Sequence, residues 1–200
     1  MPEPAKSLPV IPLNPHSRIP MLTPEASVAF IGNATTLLTY HGARILTDPN
    51  FLHAGDHVHL GPGVTATRTK NPSVDITSLP PIDLILLSHY HEDHFDRFHT
   101  PPGPANLITK INDLLGAVPP INGWLLALGH LSAPGLQTLD TGYRIYVSGD
   151  TLLVDRLREI PRWLAGARVD LMIVHLGATT IPGPRAPLVM VKMDARRGWG

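Results

Sequence analysis

The clearest hydrophobic pattern in this chain is an unbroken apolar run, Leu84–Leu87, which predicts a buried β-strand. The run ends at Ser88, where the sequence becomes polar. Four side chains that can bind a metal ion then follow within six residues: His89, His91, Asp93 and His94. So many donor groups at the end of a rigid strand predict a metal site rather than a solvated turn.

The spacing of these side chains indicates how they could share metal ions. In extended backbone, residues i and i+2 point the same way, so His89 and His91 are expected to grip one ion together. Asp93 and His94 come after the chain has turned, so they are expected to face a second position beside the first. Imidazole and carboxylate are zinc ligands at neutral pH, and they also accept manganese and iron. The sequence therefore predicts one or two Zn2+ ions, with Mn2+ or Fe2+ as alternatives.

Three short apolar or β-branched segments precede this strand and predict an antiparallel meander. Turn-forming pairs, Gly32-Asn33 and His41-Gly42, separate them. The three segments are Ser27–Ile31, Thr36–Tyr40 and Ala43–Leu46. The proline-rich stretch before them, residues 1–24, predicts an extended arm, and the folded domain is expected over residues 25–200.

The stretch Asn50–Pro81 is polar and contains several glycines and prolines, so it predicts a loop. His53, His57 and His59 lie within it. No apolar strand positions these histidines, so we interpret them as solvated or substrate-contacting residues rather than as metal ligands.

The second half of the chain predicts two helices and three further strands. Apolar residues recur at helical spacing within Asn106–Ala117, which favours a short amphipathic helix. Trp124–Leu128 and Arg144–Val147 are predicted strands of a second sheet. Asp170–Val174 predicts a final buried strand, which leads to His175.

Asp150 follows the second of these strands in the sequence Ser148-Gly149-Asp150-Thr151. A carboxylate exposed by a glycine at a strand end is suited to reach a metal ion. Asp150 is equally suited to cap a following helix, and one carboxylate can do both. The apolar face of that helix is predicted to be Leu152, Leu153, Leu157 and Ile160.

The composition mainly excludes certain partners, metal ligands and targeting segments. At 200 residues, with 43% hydrophobic and 16% charged residues, the chain is expected to form one globular domain. Its 22 prolines and 17 glycines favour a strand-rich, loop-rich build. Sixteen basic and 16 acidic residues leave no field to attract nucleic acid, and the lack of cysteine excludes thiolate ligands. No apolar run is long enough for a signal peptide or a transmembrane segment, so a cytoplasmic protein is expected.

The motif His89–His94, with the sequence HYHEDH, resembles the signature of the metallo-β-lactamase fold superfamily. The phrase SVAFIGNATTLLTYHGARILTDP resembles the first sheet of the branch that includes N-acylphosphatidylethanolamine phospholipase D and related lactone hydrolases. This resemblance covers most of Ser27–Asp194 and implies an α/β (α+β) fold, an αββα sandwich. It also implies that Asp48 orients a liganding histidine, although a turn before Pro49 is an alternative role for it. Where the branch usually has histidine, this chain has Asn33.

The chain departs from the family pattern after the motif. In the family, the next liganding histidine lies much further along the chain from the HYHEDH motif, and Phe98–Gly103 resembles the stretch that follows that histidine. The chain therefore resembles a member with an internal segment removed and its C-terminal end lost. On this interpretation His99 is the third histidine of the first metal site, and His130 is its rival. His175 is expected in the sheet near the pocket rather than as a ligand.

The resemblance implies two metal positions and a reaction. The first would be held by His89, His91 and His99, and the second by Asp93, His94 and a bridging Asp150. A metal-bound hydroxide would attack a small-molecule or lipid-like ester or phosphodiester, with Asp93 managing its proton. The alternative is a non-catalytic, weakly metal-binding remnant of such an enzyme. A shortened scaffold would also expose apolar surface, so self-association is expected.

Overall fold

The structure is a computed structural model, and it describes residues 26–61, 63–96, 106–108, 121–131, 139–177, 180–181 and 189–190. The predicted N-terminal arm, residues 1–24, lies outside these residues. So does His99.

The predicted meander is confirmed. Strands β1 (Ala26–Gly32), β2 (Thr35–Tyr40) and β3 (Ala43–Thr47) pair antiparallel in sequence order. Both turns between them contain a residue in the left-handed region, with φ of 52° at Asn33 and 45° at His41. The strand β1 is the edge of its sheet and is largely exposed.

The apolar run before the histidine motif forms a central, buried strand, as predicted. This strand, β6 (Leu84–Leu86), pairs parallel with β3 on one side and with β7 (Asn106–Ile108) on the other. The helix predicted for Asn106–Ala117 is therefore wrong over its first three residues, and its remainder lies outside the described residues. The physical reason is that β6 offers a free edge, which supplies hydrogen-bond partners to any short apolar segment beside it. Periodicity over so few residues cannot separate the two states.

The second sheet contains three strands in the order β10-β9-β8. Strands β8 (Trp124–Leu131) and β9 (Leu139–Val147) confirm the two predicted segments and extend them. Strand β10 (Leu171–Ile173) pairs parallel with β9, but at the sheet edge it is only partly buried, and Met172 is 59% exposed. It is not the last strand either, since β11 (Thr180–Ile181) pairs with β12 (Val189–Met190).

The interpretation of Asn50–Pro81 as a continuous loop is wrong. It contains an antiparallel hairpin of β4 (His57–Gly61) and β5 (Val64–Thr67), and a 3-10 turn at Ile76–Ser78. Val58 is 2% exposed and anchors the hairpin to the body of the domain. One buried position is enough for an edge hairpin, so the sequence shows no run of alternating apolar residues there.

The helix predicted directly after Asp150 starts later and is shorter. A 3-10 segment occupies Asp155–Glu159, and the helix α1 occupies Ile160–Trp163. Val154 stands at the N-cap position, so the prediction that Asp150 caps the helix is wrong. The side chain of Asp150 contacts His94 and His175 instead. Leu153, which lies between Asp150 and the 3-10 segment, is 56% exposed.

The two sheets pack face to face, which is the sandwich that the sequence predicts. One core cluster fills the space between them with side chains from β2, β3, β6 and β9: Leu38, Ile45, Leu84, Leu86, Ile145 and Val147. A second cluster covers the opposite face of the first sheet: Ile31, Leu46, Phe51, Leu79, Ile82 and Ile85. Side chains of β3 and β6 alternate between the two clusters, as the two-residue period of a strand requires. Among the described helices, none has the length and apolar character needed to cross a bilayer.

Candidate metal centre

The histidine motif follows β6 and turns back tightly on itself. The backbone nitrogens of His94 and Phe95 both lie 2.9 Å from His91 O, which closes the turn. This turn carries His94 beneath the end of the strand, close to His89. The rings of His89 and His94 are only 1% and 0% exposed, and their centroids are 4.2 Å apart. Two fully buried imidazoles at this separation need polar partners or a shared ion.

His89 lies between the motif turn and the second sheet. Its Nδ1 is 2.9 Å from Ser88 Oγ, and its Nε2 is 3.0 Å from His91 Nδ1. The same Nε2 is 3.8 Å from Asp150 Oδ2. His89 and His91 thus approach each other through ring nitrogens, as their i, i+2 spacing predicts.

His94 lies at the centre of a histidine–aspartate cluster, whose other members are His89, His91, Asp93, Asp150 and His175. Its Nδ1 lies 3.0 Å from Asp48 Oδ2. Its Nε2 lies 3.1 Å from Asp150 Oδ1 and 3.7 Å from Asp93 Oδ2. A buried ring nitrogen approached by two carboxylate oxygens is in the position of a metal ligand.

Asp150 and His175 come from the second sheet. Asp150 follows β9 and His175 follows β10, and the parallel pairing of these strands brings the two residues together. Asp150 Oδ1 is 2.9 Å from His175 Nδ1, and His175 N donates to Ser148 Oγ at 2.9 Å. His175 Nε2 lies 3.1 Å from Asn33 O, so the ring bridges the two sheets.

The donor atoms form two groups whose members lie within 4.8 Å of one another. The first group contains His89, Asp93 and His94, and the second contains His94, Asp150 and His175. Histidine nitrogens and carboxylate oxygens in threes are the donor set of a catalytic zinc site, which keeps a further position for water or substrate. The residues present therefore fit one or two divalent ions.

The two central histidines have opposite pKa shifts in the metal-free cluster. Burial, together with the charge of His94, lowers the pKa of His89 to about 3. Burial also acts to lower the pKa of His94, but the carboxylates of Asp150, Asp48 and Asp93 outweigh it and raise that pKa to about 9. Without metal, one proton thus resides on His94 at neutral pH, and His89 is neutral.

A close approach of the two strand ends makes this arrangement possible. Gly149 has φ of 54°, and a Cβ added to it would lie 2.5 Å from Ser88 Cβ and 2.9 Å from Asn122 O. Only glycine fits where the end of β9 passes the end of β6. This contact places Asp150 beside His89 and His94.

A second set of polar contacts holds the motif turn from the other side. Asn50 Nδ2 donates to Glu92 O, and the Glu92 carboxylate accepts a hydrogen bond from His59 N at 2.8 Å. The motif turn is thereby joined to the β4–β5 hairpin. Asn33 Nδ2 donates to Asp93 O, so the residue that replaces the usual histidine still makes a polar contact at the site.

The structure brings together five of the six predicted metal ligands: His89, His91, Asp93, His94 and Asp150. His91 contacts His89 but belongs to neither three-membered group. The sixth, His99, lies outside the described residues. Its rival His130 pairs with Asp140 at the far end of β8 and β9 from Asp150, so the backbone places it away from the cluster.

Sequence reasoning anticipated Asp48 and missed His175. Asp48 lies 3.0 Å from His94, a contact that the predicted orienting role requires. His175 was expected near the pocket but not as a ligand, whereas it joins a possible metal-binding group. The available signal was the position of His175 directly after a strand that could pair with β9.

The paired sheets and the histidine–aspartate cluster at their edge define a metallo-β-lactamase-type fold with a candidate metal centre. The family described as beta-lactamase superfamily domain matches residues 27–182. The chain therefore belongs to the beta-lactamase superfamily.

Individual relatives agree with this assignment over shorter stretches. An uncharacterized protein of Mycobacterium tuberculosis is 32% identical over 90 residues, which are 41% of this chain and 23% of that protein. The mitochondrial N-acyl-phosphatidylethanolamine-hydrolyzing phospholipase D of Saccharomyces cerevisiae is 43% identical over 67 residues, 34% of this chain and 14% of the yeast protein. The matched part thus spans less than a quarter of either relative.

A solved structure shares the fold over most of the chain. The isothiocyanate hydrolase from Delia radicum gut bacteria superposes with a TM-score of 0.56 at 17% identity. The match covers 86% of this chain and 78% of that one. The predicted α+β sandwich is confirmed by this likeness.

Proposed function

We propose that this chain is a metal-dependent hydrolase that cleaves a small-molecule or lipid-like ester or phosphodiester. The observation that carries the proposal is the environment of His94 Nε2, which is buried and approached by oxygens of Asp93 and Asp150. The yeast relative is named for phospholipid hydrolysis, and the structural neighbour is named as a hydrolase. Both names support a hydrolytic reaction.

The residues of the cluster divide into those that would hold an ion and those that would orient the holders. His89, Asp93 and His94 would hold one ion, and Asp150 and His175 offer donors for another. A divalent ion supplies Lewis-acid polarisation of the scissile bond and lowers the pKa of water. Zinc suits these donors, and manganese or iron(II) are alternatives.

Two carboxylates have further roles in this proposal. The Asp93 side chain is 16% exposed, so its carboxylate can accept a proton from water that reaches the cluster. Asp48 is buried behind His94 and fixes which ring nitrogen faces the ion. The cytoplasmic location, the lack of a nucleic-acid partner and self-association stay predictions from the sequence.

Metal content and turnover of the purified full chain test the proposal. Wild type is expected to hold about two equivalents of zinc and to hydrolyse bis(4-nitrophenyl) phosphate or 4-nitrophenyl acetate. His89→Ala is expected to lose metal and activity together. The matched control is His53→Ala, because His53 is exposed and contacts Asp75 rather than the cluster.

The opposite result would favour the alternative of a weakly binding remnant. Wild type would then hold less than about one equivalent of zinc and show no turnover with either substrate. A third result, activity that survives in His89→Ala, would place catalysis elsewhere in the chain.

A further inference from the structure

Arg68 places a guanidinium group beside Gly32, in the turn that leads to the metal centre. The residue directly follows β5, and its backbone is fixed to the preceding turn. Arg68 N donates to Asp56 O at 2.8 Å, and Arg68 O accepts from Gly55 N at 2.9 Å. From this anchored backbone the half-buried side chain extends to Gly32, where Nη2 lies 3.9 Å from the position of an added Cβ.

The turn that begins at Gly32 connects this guanidinium to the cluster. Its next residue, Asn33, donates through Nδ2 to Asp93 O, and Asn33 O lies 3.1 Å from His175 Nε2. The Arg68 guanidinium therefore lies near Gly32, and the next residue, Asn33, contacts both Asp93 and His175. Burial lowers the pKa of Arg68, and the charges of Asp93 and Asp56 oppose that shift. The group stays positively charged at neutral pH.

Asp93 and Asp56 act on this charge electrostatically, but neither forms an ion pair with the guanidinium. Among the residues that the structure describes, the Arg68 guanidinium has no hydrogen bond or ion pair, and Nε is buried without a partner. Other arginines differ: Arg44 Nη1 donates to Pro81 O, and Arg158 pairs with Asp155. A partly buried guanidinium with unused donors is costly unless something else binds it.

We propose that Arg68 binds a non-bridging oxygen of a phosphodiester substrate, so that the site prefers a phosphodiester anion to a neutral ester. The inference rests on the proposed hydrolase function and narrows its substrate class. A guanidinium presents a planar fork of donors that matches two phosphate oxygens, and it gains little from a neutral carbonyl. A lipid headgroup and a soluble diester share this chemistry.

A binding measurement tests Arg68 without relying on turnover. Inorganic phosphate is titrated calorimetrically into the zinc-loaded full chain as wild type, Arg68→Gln and Arg68→Lys. Arg68→Gln is expected to weaken phosphate binding roughly tenfold, the loss of one charge-assisted hydrogen bond. Arg68→Lys keeps the charge without the fork and is expected to recover part of the affinity. The control is Arg158→Gln, which removes an exposed arginine and should change nothing.

The zinc content of each variant distinguishes substrate binding from support of the cluster. It is expected to match wild type in Arg68→Gln. Phosphate affinity unchanged by Arg68→Gln would overturn the proposal, as would a parallel loss of zinc and phosphate. If Arg68→Gln does not fold, judged by circular dichroism, Arg68→Lys decides by the same criterion, with about threefold weakening expected.

Steady-state kinetics then separate the substrate class from the hydrolase function. Arg68→Gln is expected to raise KM about tenfold for bis(4-nitrophenyl) phosphate and to leave KM for 4-nitrophenyl acetate unchanged. Equal effects on both substrates would overturn the preference while leaving the hydrolase function intact. A wild type that cleaves neither would contradict the hydrolase function, and the phosphate titration would still decide on Arg68. A short-chain phosphatidylcholine and a cyclic nucleotide, compared in the same way, distinguish the lipid source from the soluble one.

Discussion

Asp48 Oδ2 lies 3.0 Å from His94 Nδ1, and both side chains are almost completely buried. The same carboxylate accepts hydrogen bonds from Ser88 N at 2.7 Å and from Ser88 Oγ at 2.9 Å. Asp48 itself has φ of 38°, a left-handed conformation that turns its side chain back under β6. A single carboxylate therefore fixes the end of the central strand and the orientation of the central histidine.

Replacing this carboxylate should weaken metal binding more than it weakens the fold. Asp48→Asn keeps the shape and can still accept a bond from Ser88, but it removes the charge that faces His94. We expect zinc affinity to fall about 10- to 100-fold, as for other residues that orient a liganding histidine. Competition with a chromophoric chelator measures this change. Asp75→Asn is the control, since Asp75 contacts an exposed histidine, and an equal loss there would contradict the role of Asp48.

The metal-free chain should be most stable near pH 6.5, because its two central histidines titrate in opposite directions. The native pKa of His94 is raised to about 9, so its contribution is complete below 6.5 and is lost as the pH rises through 9. The native pKa of His89 is lowered to about 3. Below pH 6.5 the unfolded chain therefore binds a proton at His89 that the native chain does not bind, and stability falls. The pKa shift of His94 corresponds to about 3 kcal/mol and that of His89 to about 5 kcal/mol.

Urea unfolding in the presence of a chelator checks this profile. Unfolding free energies measured at about pH 5, 6.5 and 8.5 should pass through a maximum at the middle value. His94→Gln should flatten the alkaline limb, and His89→Gln should flatten the acidic one. A stability that rises steadily from acid to alkaline pH would contradict the two shifts.

Zinc binding should release a proton at neutral pH. In the metal-free chain His94 is protonated, because its pKa is about 9, and a liganding imidazole must be neutral. Calorimetric titrations with zinc in two buffers of different ionisation enthalpy give the number of protons released. We expect about one proton near pH 7.5 and close to none for His94→Gln. Equal heats in both buffers would show that His94 is already neutral.

His175 should control the second metal position alone. The second group shares His94 with the first, and His175 contacts neither His89 nor Asp93 in the described contacts. His175→Ala is therefore expected to reduce bound zinc from about two equivalents to about one. Elemental analysis measures the difference, and His57→Ala, on the exposed hairpin, is the matched control. Loss of both ions would mean that the two positions bind as a unit.

The sequence predicted those parts of the site that are close together along the chain. A buried strand followed by His89–His94 is a local pattern, and the family resemblance added Asp48 and Asp150. His175 could not be assigned in this way, because its approach to Asp150 depends on the pairing of Ile173 with Val147. The strand at Asn106–Ile108 was missed for the same reason, since its pairing with β6 decides its conformation. Short apolar segments take their structure from neighbours that the local sequence does not name.

A repeated contact at the start of two strands gives a last prediction, which concerns stability. Asp83 and Arg44 exchange two hydrogen bonds: Arg44 N donates to Asp83 Oδ2 at 2.8 Å, and Asp83 N donates to Arg44 O at 3.0 Å. Asp170 and Arg144 repeat this exchange, both bonds being 2.8 Å long, at the start of β10. Each pair sets the register of one parallel strand beside its neighbour.

The two aspartates differ in burial, so their removal should differ in cost. Asp83 is 3% exposed, and Asp83→Ala would remove the acceptor of the part-buried Arg44 N–H, which costs about 1–3 kcal/mol. Asp170 is exposed, so water can replace its carboxylate and Asp170→Ala should cost less than about 1 kcal/mol. Urea unfolding of both variants, with Asp83→Asn as a variant that retains the acceptor, measures the difference. Equal losses for the two alanine variants would mean that the register of each strand, rather than desolvation of the amide, sets the cost.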